Sequence, residues 1–462
     1  KLYLHSLSNL KGIAHGQIPA EFFNKLKLME LKECQELVCI FPPDTLVKFK
    51  SLKVLRVENC GKLTEGFLLG KVGSDDPAVT FPELIDIYLK KLPKLMTIWK
   101  GVGSVENLGK LKIMEVESCN LLKYLFTSTM VIALQQLERL VISDCRSMVS
   151  IVVALEEDQD VLLPPQIFSN LRELIIKQCH SLTKLFPGGR LSKLQLLEVN
   201  DCGELEEILQ VNQDERKNFD EEKYVFPQLE QLYLYELPSL KTICKGTIRN
   251  GSFKKLRKFG MSNCGNLKKL CFPASLVLNG SLSFLEYISV VGCKSLEAII
   301  YDDNENVQEK PPPQEILPEV TELIFRGLPN LEMVVKGARM SSKSFKNLEK
   351  VKVEDCNIMT HLFPMNLLGP GGLPKLKHFQ LGDCSKMESI FYDDNHGVKK
   401  AKSTAEEKQQ QHRLSELIKV QPGQTLPQWP CLETIVVKNC DNLNELEWKS
   451  QQSKTLSQSL LK

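Results

Sequence analysis

The chain has 462 residues, with 59 Lys and Arg against 57 Asp and Glu, a net charge of +2. That balance leaves no electrostatic footprint for nucleic acid or for an anionic membrane surface. No stretch approaches the roughly 18 consecutive apolar residues of a membrane span; the longest candidate, near 124–134, is broken by Thr127, Ser128 and Thr129.

One phrase recurs along the chain, L-x-x-L-x-L-x-x-C-x-x-L. It is already running at Lys1, in KLYLHSLSNL, and a second pass reaches its ninth position at Cys34. LKVLRVENCGKL follows at 52–63, LKIMEVESCNLL at 111–122, LERLVISDCRSM at 137–148 and LRELIIKQCHSL at 171–182. LQLLEVNDCGEL comes at 194–205, LEYISVVGCKSL at 285–296 and LETIVVKNCDNL at 432–443. Counting weaker copies, the ninth position falls at 7, 34, 60, 92, 119, 145, 179, 202, 237, 264, 293, 328, 356, 384 and 440. The step is about 29 residues until the last, longer one, within the range of a leucine-rich repeat.

The phrase dictates a half-buried strand followed by a tight turn. Its fourth and sixth positions are apolar and alternate with outward ones, a period of two. In the unit ending at Cys119, Met114 and Val116 point inward, whereas Ile113, Glu115 and Glu117 point outward. Roughly twenty residues remain for the return path, which suits short coil or helical turns and not a long helix. The predicted fold is an α/β repeat: a leucine-rich-repeat solenoid, or horseshoe, with a parallel concave β-sheet and an irregular convex side. Strands stacked at about 4.8 Å give a ribbon on the order of 70 Å long. Lys1 lies inside a phrase with no polar cap, as expected of a segment of something longer.

Cys fills the ninth position at 34, 60, 119, 145, 179, 202, 264, 293, 356, 384 and 440, eleven of the fifteen cysteines. A small weak donor there can meet the carbonyls of the turn. Disulfides belong to short secreted chains, so reduced structural thiols are expected, and with them the cytosol or nucleus. No C-x-x-C or H-E-x-x-H motif is present and the seven His are scattered, so no metal is expected. The sequons at Asn250 and Asn279 would matter in a secreted protein and are read as chance.

The units are not equivalent. At 7, 92, 237 and 328 the ninth position is Leu, and at the last three the phrase continues LPKL, LPSL and LPNL. These units open on FPEL, FPQL and LPEV and close on TIWKG, TICKG and MVVKG. The first Cys unit of each set ends in L-F-P or a relative of it. The second ends in an apolar strip such as EEIL or EAII, followed by an acidic insert. The larger unit is thus a triplet of about 90 residues. The set at Cys179 and Cys202 has lost its Leu member. Residues 1–448 read as a solenoid of about fifteen repeats, with 393–424 a flexible Lys/Glu/Gln-rich insert and 449–462 a disordered polar tail.

Motifs for chemistry come out as near misses. Gly66-Phe-Leu-Leu-Gly70-Lys71 is one residue short of a phosphate loop and lacks the following Ser/Thr. The acid pairs Glu206–Glu207 and Asp302–Asp303 read as solvated charge in inserts. The run Lys399-Lys400-Ala401-Lys402 resembles a nuclear signal and reads as part of the flexible insert. No enzyme activity and no cofactor are expected.

Taken together, the Cys-containing repeats, L-P-x-L units, L-x-x-L-F-P phrases and F-P-x-L strand starts resemble the carboxy-terminal leucine-rich repeats of plant intracellular immune receptors. Among these, the coiled-coil, nucleotide-binding class of disease-resistance proteins is most similar. The resemblance covers residues 1 to about 448. It implies recognition of a pathogen effector or guarded host protein, and autoinhibition of a nucleotide-binding module that this segment lacks. The segment alone is expected to be monomeric, with no nucleic-acid or membrane partner. A second reading, the substrate-binding repeats of a ubiquitin-ligase adaptor, needs an F-box upstream; a third, an extracellular receptor, needs capping disulfides and glycosylation. The outward positions are the candidate protein-binding residues: Tyr88, Glu115, Val141, Ile175, Glu198, Tyr233, Tyr235, Ser289, Ile324 and Lys352. Within this set Tyr233 and Tyr235 stand out, because Tyr is enriched at interface hot spots. Gly260 beside them is expected to leave a shallow hollow.

Overall fold

Alternation of apolar and polar residues over five positions becomes, in each repeat, a five-residue strand with one covered face. In the computed structural model Met114 and Val116 of strand Ile113–Glu117 are fully buried, while Ile113, Glu115 and Glu117 are half-buried. The same pattern marks Arg139–Ser143, Glu173–Lys177, Leu196–Asn200 and Gln231–Tyr235. The structure describes residues 1–13, 22–41, 49–68, 81–100, 108–153, 168–185, 191–210, 224–246, 248–270, 272–301, 313–336, 339–364, 367, 371–392 and 429–443. The expected insert at 393–424, the tail at 449–462, Asp302–Asp303 and the Lys399–Lys402 run lie outside the described residues.

The chain divides into two compact units. The first comprises 1–271, 279–282 and 292–296; the second comprises 272–278, 283–291 and 297–462. In the first, ten parallel strands follow one another in sequence order from Leu2–His5 to Lys258–Ser262. In the second, Tyr287–Val291, Glu322–Arg326, Lys350–Glu354, His378–Gly382 and Thr434–Lys438 do the same. Register is kept throughout, so equal phrase positions become neighbours: Leu174 lies beside Leu197, and Leu197 beside Leu232. It survives the longest step, where His378 pairs with Thr434. The missing Leu member leaves no break either, since Arg139–Ser143 pairs directly with Glu173–Lys177.

Two turns bracket each strand. In the turn after it, the N–H of the twelfth residue donates to the ninth-position carbonyl, as in Leu122 to Cys119 at 3.2 Å and Leu63 to Cys60 at 3.3 Å. The chain enters this turn through a left-handed residue at the eighth position, for example Asn59, Ser118, Asp144, Gln178 and Glu236, with φ between 49° and 54°. In the turn before the strand, the first phrase leucine donates to a residue three earlier, as in Leu52 to Phe49 at 3.2 Å and Leu171 to Phe168 at 2.9 Å. Phe81, Phe226, Phe253 and Phe345 hold the corresponding place, all within 2% of complete burial.

The return path departs from expectation. Short coil or helical turns were foreseen; instead the unit tails pair as short parallel strands facing the main sheet. Cys39–Phe41, Glu65–Leu68 and Thr97–Lys100 form one such sheet, and Glu207–Gln210 with Thr242–Lys245 another. Ala298–Ile300 with Met333–Val335 makes a third in the second unit. These tails are rich in Ile, Val, Phe and Trp, which favour a pleated, half-covered surface. α-Helix among the described residues is confined to Ser128–Ala133 and Ala274–Leu278. The core fills the space between the facing strands, with Phe67 stacked on Phe41 at 4.9 Å and on Trp99 at 4.4 Å between ring centres.

One sequence expectation is corrected here, and a second, that the Gly66 phrase belongs to a return segment and is no phosphate loop, holds. Glu207 is not solvated charge in an insert: it begins a return strand, is 8% exposed, and lies 3.6 Å from Lys184 and 3.5 Å from Lys245. Gly66, the first glycine of the near-miss phosphate loop, lies in strand Glu65–Leu68, and a Cβ there would stand 2.7 Å from the Ile98 carbonyl oxygen. Its glycine answers to the close approach of the neighbouring return strand.

The thiols take the expected role. The fourteen described cysteines are all free, and from Cys34 to Cys384 every ninth-position one is buried. Their Sγ–H groups donate to the carbonyl two residues back, as in Cys60 to Glu58 at 3.5 Å and Cys179 to Lys177 at 3.4 Å. Cys34, Cys119 and Cys264 also reach a carbonyl of the preceding repeat. Burial pushes the Cys60 thiol up to about 11. Cys179, Cys264 and Cys356 are raised by the thiol of the next repeat, Cys202, Cys293 and Cys384 respectively, and then by burial.

Candidate protein-binding face

Because each sheet is covered by its own return strands on one side, the third, fifth and seventh phrase positions make the open face. All ten candidate residues lie on it, and all are half-buried. Register joins six of them into one row of the first unit: Tyr88, Glu115, Val141, Ile175, Glu198 and Tyr233 are successive neighbours. Ser289, Ile324 and Lys352 form a separate row in the second unit. Tyr235 stands beside Asn200 and Ser262, two residues along the strand from Tyr233.

Three stretches of different chemistry divide the row of the first unit. Val141 and Ile175 are adjacent and apolar, flanked by charge: Arg139 pairs with Glu173 and, at 3.6 Å, with Glu115, and Lys177 pairs with Glu198 at 2.8 Å. Beyond Glu198 the Tyr233 and Tyr235 rings stack, 5.9 Å apart and inclined at 24°. The hollow expected at Gly260 is not there. A Cβ on Gly260 would fall 2.7 Å from the Tyr235 hydroxyl and 2.9 Å from Tyr233 Cδ1, so the two rings fold over the glycine and fill the space. The Tyr233 hydroxyl further donates to Gln231 Oε1 at 3.2 Å. The result is a flat aromatic plate, where a recess was expected.

A hollow does exist, at the other end of the first unit. It encloses about 410 Å³ between Glu30, Lys32, Arg56, Glu58, Tyr88 and Glu115. The Arg56 guanidinium carbon lies 5.2 Å from the Tyr88 ring centre, within cation–π range, and 3.8 Å separates its Nη1 from Glu30 Oε2. Desolvation raises both Tyr88 and the neighbouring Asp86 above their ordinary values, with Arg56 and Lys112 pulling Asp86 back. Of the residues around this hollow, only Tyr88 and Glu115 are among the ten candidates. Arg56, Glu30, Lys32 and Glu58 occupy the fifth and seventh positions of earlier repeats and were legible by the same alignment.

Paired charges, a tyrosine plate and a short apolar strip are the chemistry of an interface. Among the described residues no group of three or more His, Cys, Asp and Glu is arranged to hold a metal ion, and no helix is long and apolar enough to cross a membrane. The family profile described as plant disease resistance protein RPS2-like, leucine-rich repeats, matches residues 1–146, 155–279 and 252–369. The chain belongs to this family. Its repeat region is therefore a protein-interaction scaffold of the plant disease resistance type. No curated protein matches the chain. Among solved structures it is similar to a leucine-rich cell surface protein from Faecalibacterium prausnitzii A2-165, at 12% identity and a TM-score of 0.18, over 76% of this chain and 84% of that one. A TLR13–ssRNA13 complex matches at 13% identity and 0.20, over 80% and 77%. A PEPR1–AtPEP1 structure matches at 15% and 0.17, over 78% and 65%. Scores this low carry no weight for function or shape.

Proposed function

We propose that this RPS2-like region is the recognition and autoinhibitory part of a plant intracellular disease-resistance receptor. It senses a pathogen effector or a guarded host protein on the open face, and it restrains a nucleotide-binding module elsewhere in the receptor. The cytosol, with its reducing chemistry, suits a scaffold whose buried ninth positions are free thiols. The observation that carries the reading is the unbroken row from Tyr88 to Tyr233, which ends in the stacked pair Tyr233 and Tyr235. A rigid aromatic plate offers ring area with little conformational entropy left to lose, as interface hot spots do.

The test is a double substitution, Tyr233→Ala with Tyr235→Ala. The rings lie outside the core, so unfolding should shift by no more than about 1 kcal/mol. Affinity for the recognised protein should drop at least about tenfold, since hot-spot truncations cost about 2 kcal/mol or more. In the full receptor, a repeat region that restrains the switch should release it when deleted, giving activity without effector. A folded double variant that binds and signals normally would remove the tyrosine plate from the interface.

A further inference from the structure

We propose that the hollow over Arg56 and Tyr88 docks an α-helix of a partner protein that carries acidic and basic residues in alternation, one turn apart. This rests on the reading of the open face as a protein-binding surface. It concerns a different stretch of that face from the tyrosine plate.

Charge on this stretch alternates strictly in one row. The seventh positions of four successive strands are Lys32, Glu58, Lys90 and Glu117, and register makes each the neighbour of the next. Lys90 meets Glu117 at 3.2 Å and Glu30 meets His5 at 3.0 Å, but the other pairs of the hollow are loose: Lys32 to Glu58 is 3.7 Å, Lys90 to Glu115 3.8 Å and Arg56 to Glu30 3.8 Å. Those separations hold the charges in Coulomb contact but exceed a direct hydrogen bond. Donors and acceptors therefore stay available to a docked side chain. The stripe as a whole is neutral, which suits neither a nucleic acid nor an anionic membrane. It suits a partner that is itself neutral and alternating.

Spacing selects the partner's backbone. Strands lie about 4.8 Å apart, so four successive charges span about 14 Å. A helix laid across the strands presents residues i, i+3, i+7 and i+10 on one face, a rise of about 15 Å. The two ladders stay in step over all four charges. An extended chain repeats on one face every 6.7 Å or so, spans about 20 Å over the same four residues, and loses register by the third. A helix with acid and base a turn apart is also stabilised by its own i,i+4 pairs. Tyr88, in the row beside the stripe, gives the helix an apolar floor.

The experiment measures anisotropy of a fluorescein-labelled (Glu-Ala-Ala-Lys-Ala-Ala-Gln)3 peptide, whose acids and bases alternate at i, i+3, i+7 and i+10 on one helix face, titrated with the full chain. A peptide of the same composition with its acids and bases in two blocks is the control, and so is a β-forming peptide with Glu and Lys on alternate outward positions. The alternating helix should bind at least about tenfold more tightly than either control, and should weaken about tenfold between about 50 and 300 mM NaCl. Lys90→Glu leaves acids on three successive strands and should cost about tenfold in affinity. The quadruple variant Lys32→Glu, Glu58→Lys, Lys90→Glu and Glu117→Lys restores alternation with opposite sign. It should bind within about threefold of the original, because the peptide slides by one turn. Equal binding of the block peptide, or an unaffected Lys90→Glu, overturns the proposal, and the peptide comparison needs no variant to fold. Tighter binding of the extended peptide overturns the choice of a helix. A dimer of the chain that Lys90→Glu dissociates would give the hollow to a second copy instead. Tyr233→Ala with Tyr235→Ala should leave peptide binding unchanged, so failure here is separable from failure of the tyrosine plate.

Discussion

Truncating Leu197 to Ala tests whether each layer is held mainly by its neighbours. Leu197 is fully buried in strand Leu196–Asn200, with Leu174 on one side and Leu232 on the other. Loss of three carbon groups at about 0.8 kcal/mol each forfeits about 2.4 kcal/mol of transfer free energy. The flanking strands are fixed by their own ladders and cannot close the gap fully. A residual void of about 50 Å³, at about 24 cal/mol per Å³, adds about 1 kcal/mol. The expected loss is therefore about 3.5 kcal/mol, inside the usual range of about 2–5 kcal/mol for such truncations. Native-state hydrogen exchange followed by mass spectrometry is the assay. Amides of Glu173–Lys177, Leu196–Asn200 and Gln231–Tyr235 should lose protection, while Leu28–Lys32 and Glu322–Arg326 keep theirs, because repeats stabilise chiefly their neighbours. An equal loss of protection in all five strands would refute nearest-neighbour behaviour.

Three further outcomes are expected. All fifteen cysteines should titrate with a thiol reagent after denaturation without reductant; disulfides between repeats in freshly purified protein would contradict the buried-thiol architecture. Stability should fall in alkali: Cys60 titrates at about 11 when folded against 9.0 ordinarily, so its contribution is complete below pH 9 and disappears as pH rises through 11. Denaturant midpoints that stay flat across this window, or that fall equally in a folded Cys60→Ser variant, would show that ionisation of this thiol is not responsible. Gly66→Ala should destabilise by about 1–3 kcal/mol, since the added Cβ meets the Ile98 carbonyl at 2.7 Å; an unchanged melting temperature would show that the return strands separate freely.

Much of this architecture was legible because the phrase repeats at nearly constant spacing. Alignment of one phrase on the next gives the register: Tyr88 beside Arg56, Val141 beside Ile175. The ninth-position thiols could be read from size and polarity. Other features hide in chemically mixed positions. The eighth residue is left-handed in repeat after repeat, and Asn, Asp or Gly holds nine of the fifteen positions, but Lys91, Gln178 and Glu236 among the others dilute the sign. The return strands were foreshadowed by β-prone tails such as TIWKG and missed because three or four residues are too few to show a period. The Gly260 hollow failed for a different reason. Removing a side chain invites its neighbours in, and two tyrosine rings on the adjacent strand were long enough to accept.

Direct pairing of Arg139–Ser143 with Glu173–Lys177 where a Leu unit is missing bears on how such a chain can change over generations. Each layer presents the same edge to the next, so a whole repeat can be removed by unequal exchange between similar stretches of a gene and the cut ends still match. A gain of a repeat should be tolerated on the same grounds. Recombination at repeat boundaries then shifts the outward residues past one another in blocks while leaving each buried layer intact. A surface built this way can be reshuffled wholesale while the chain at every step still folds.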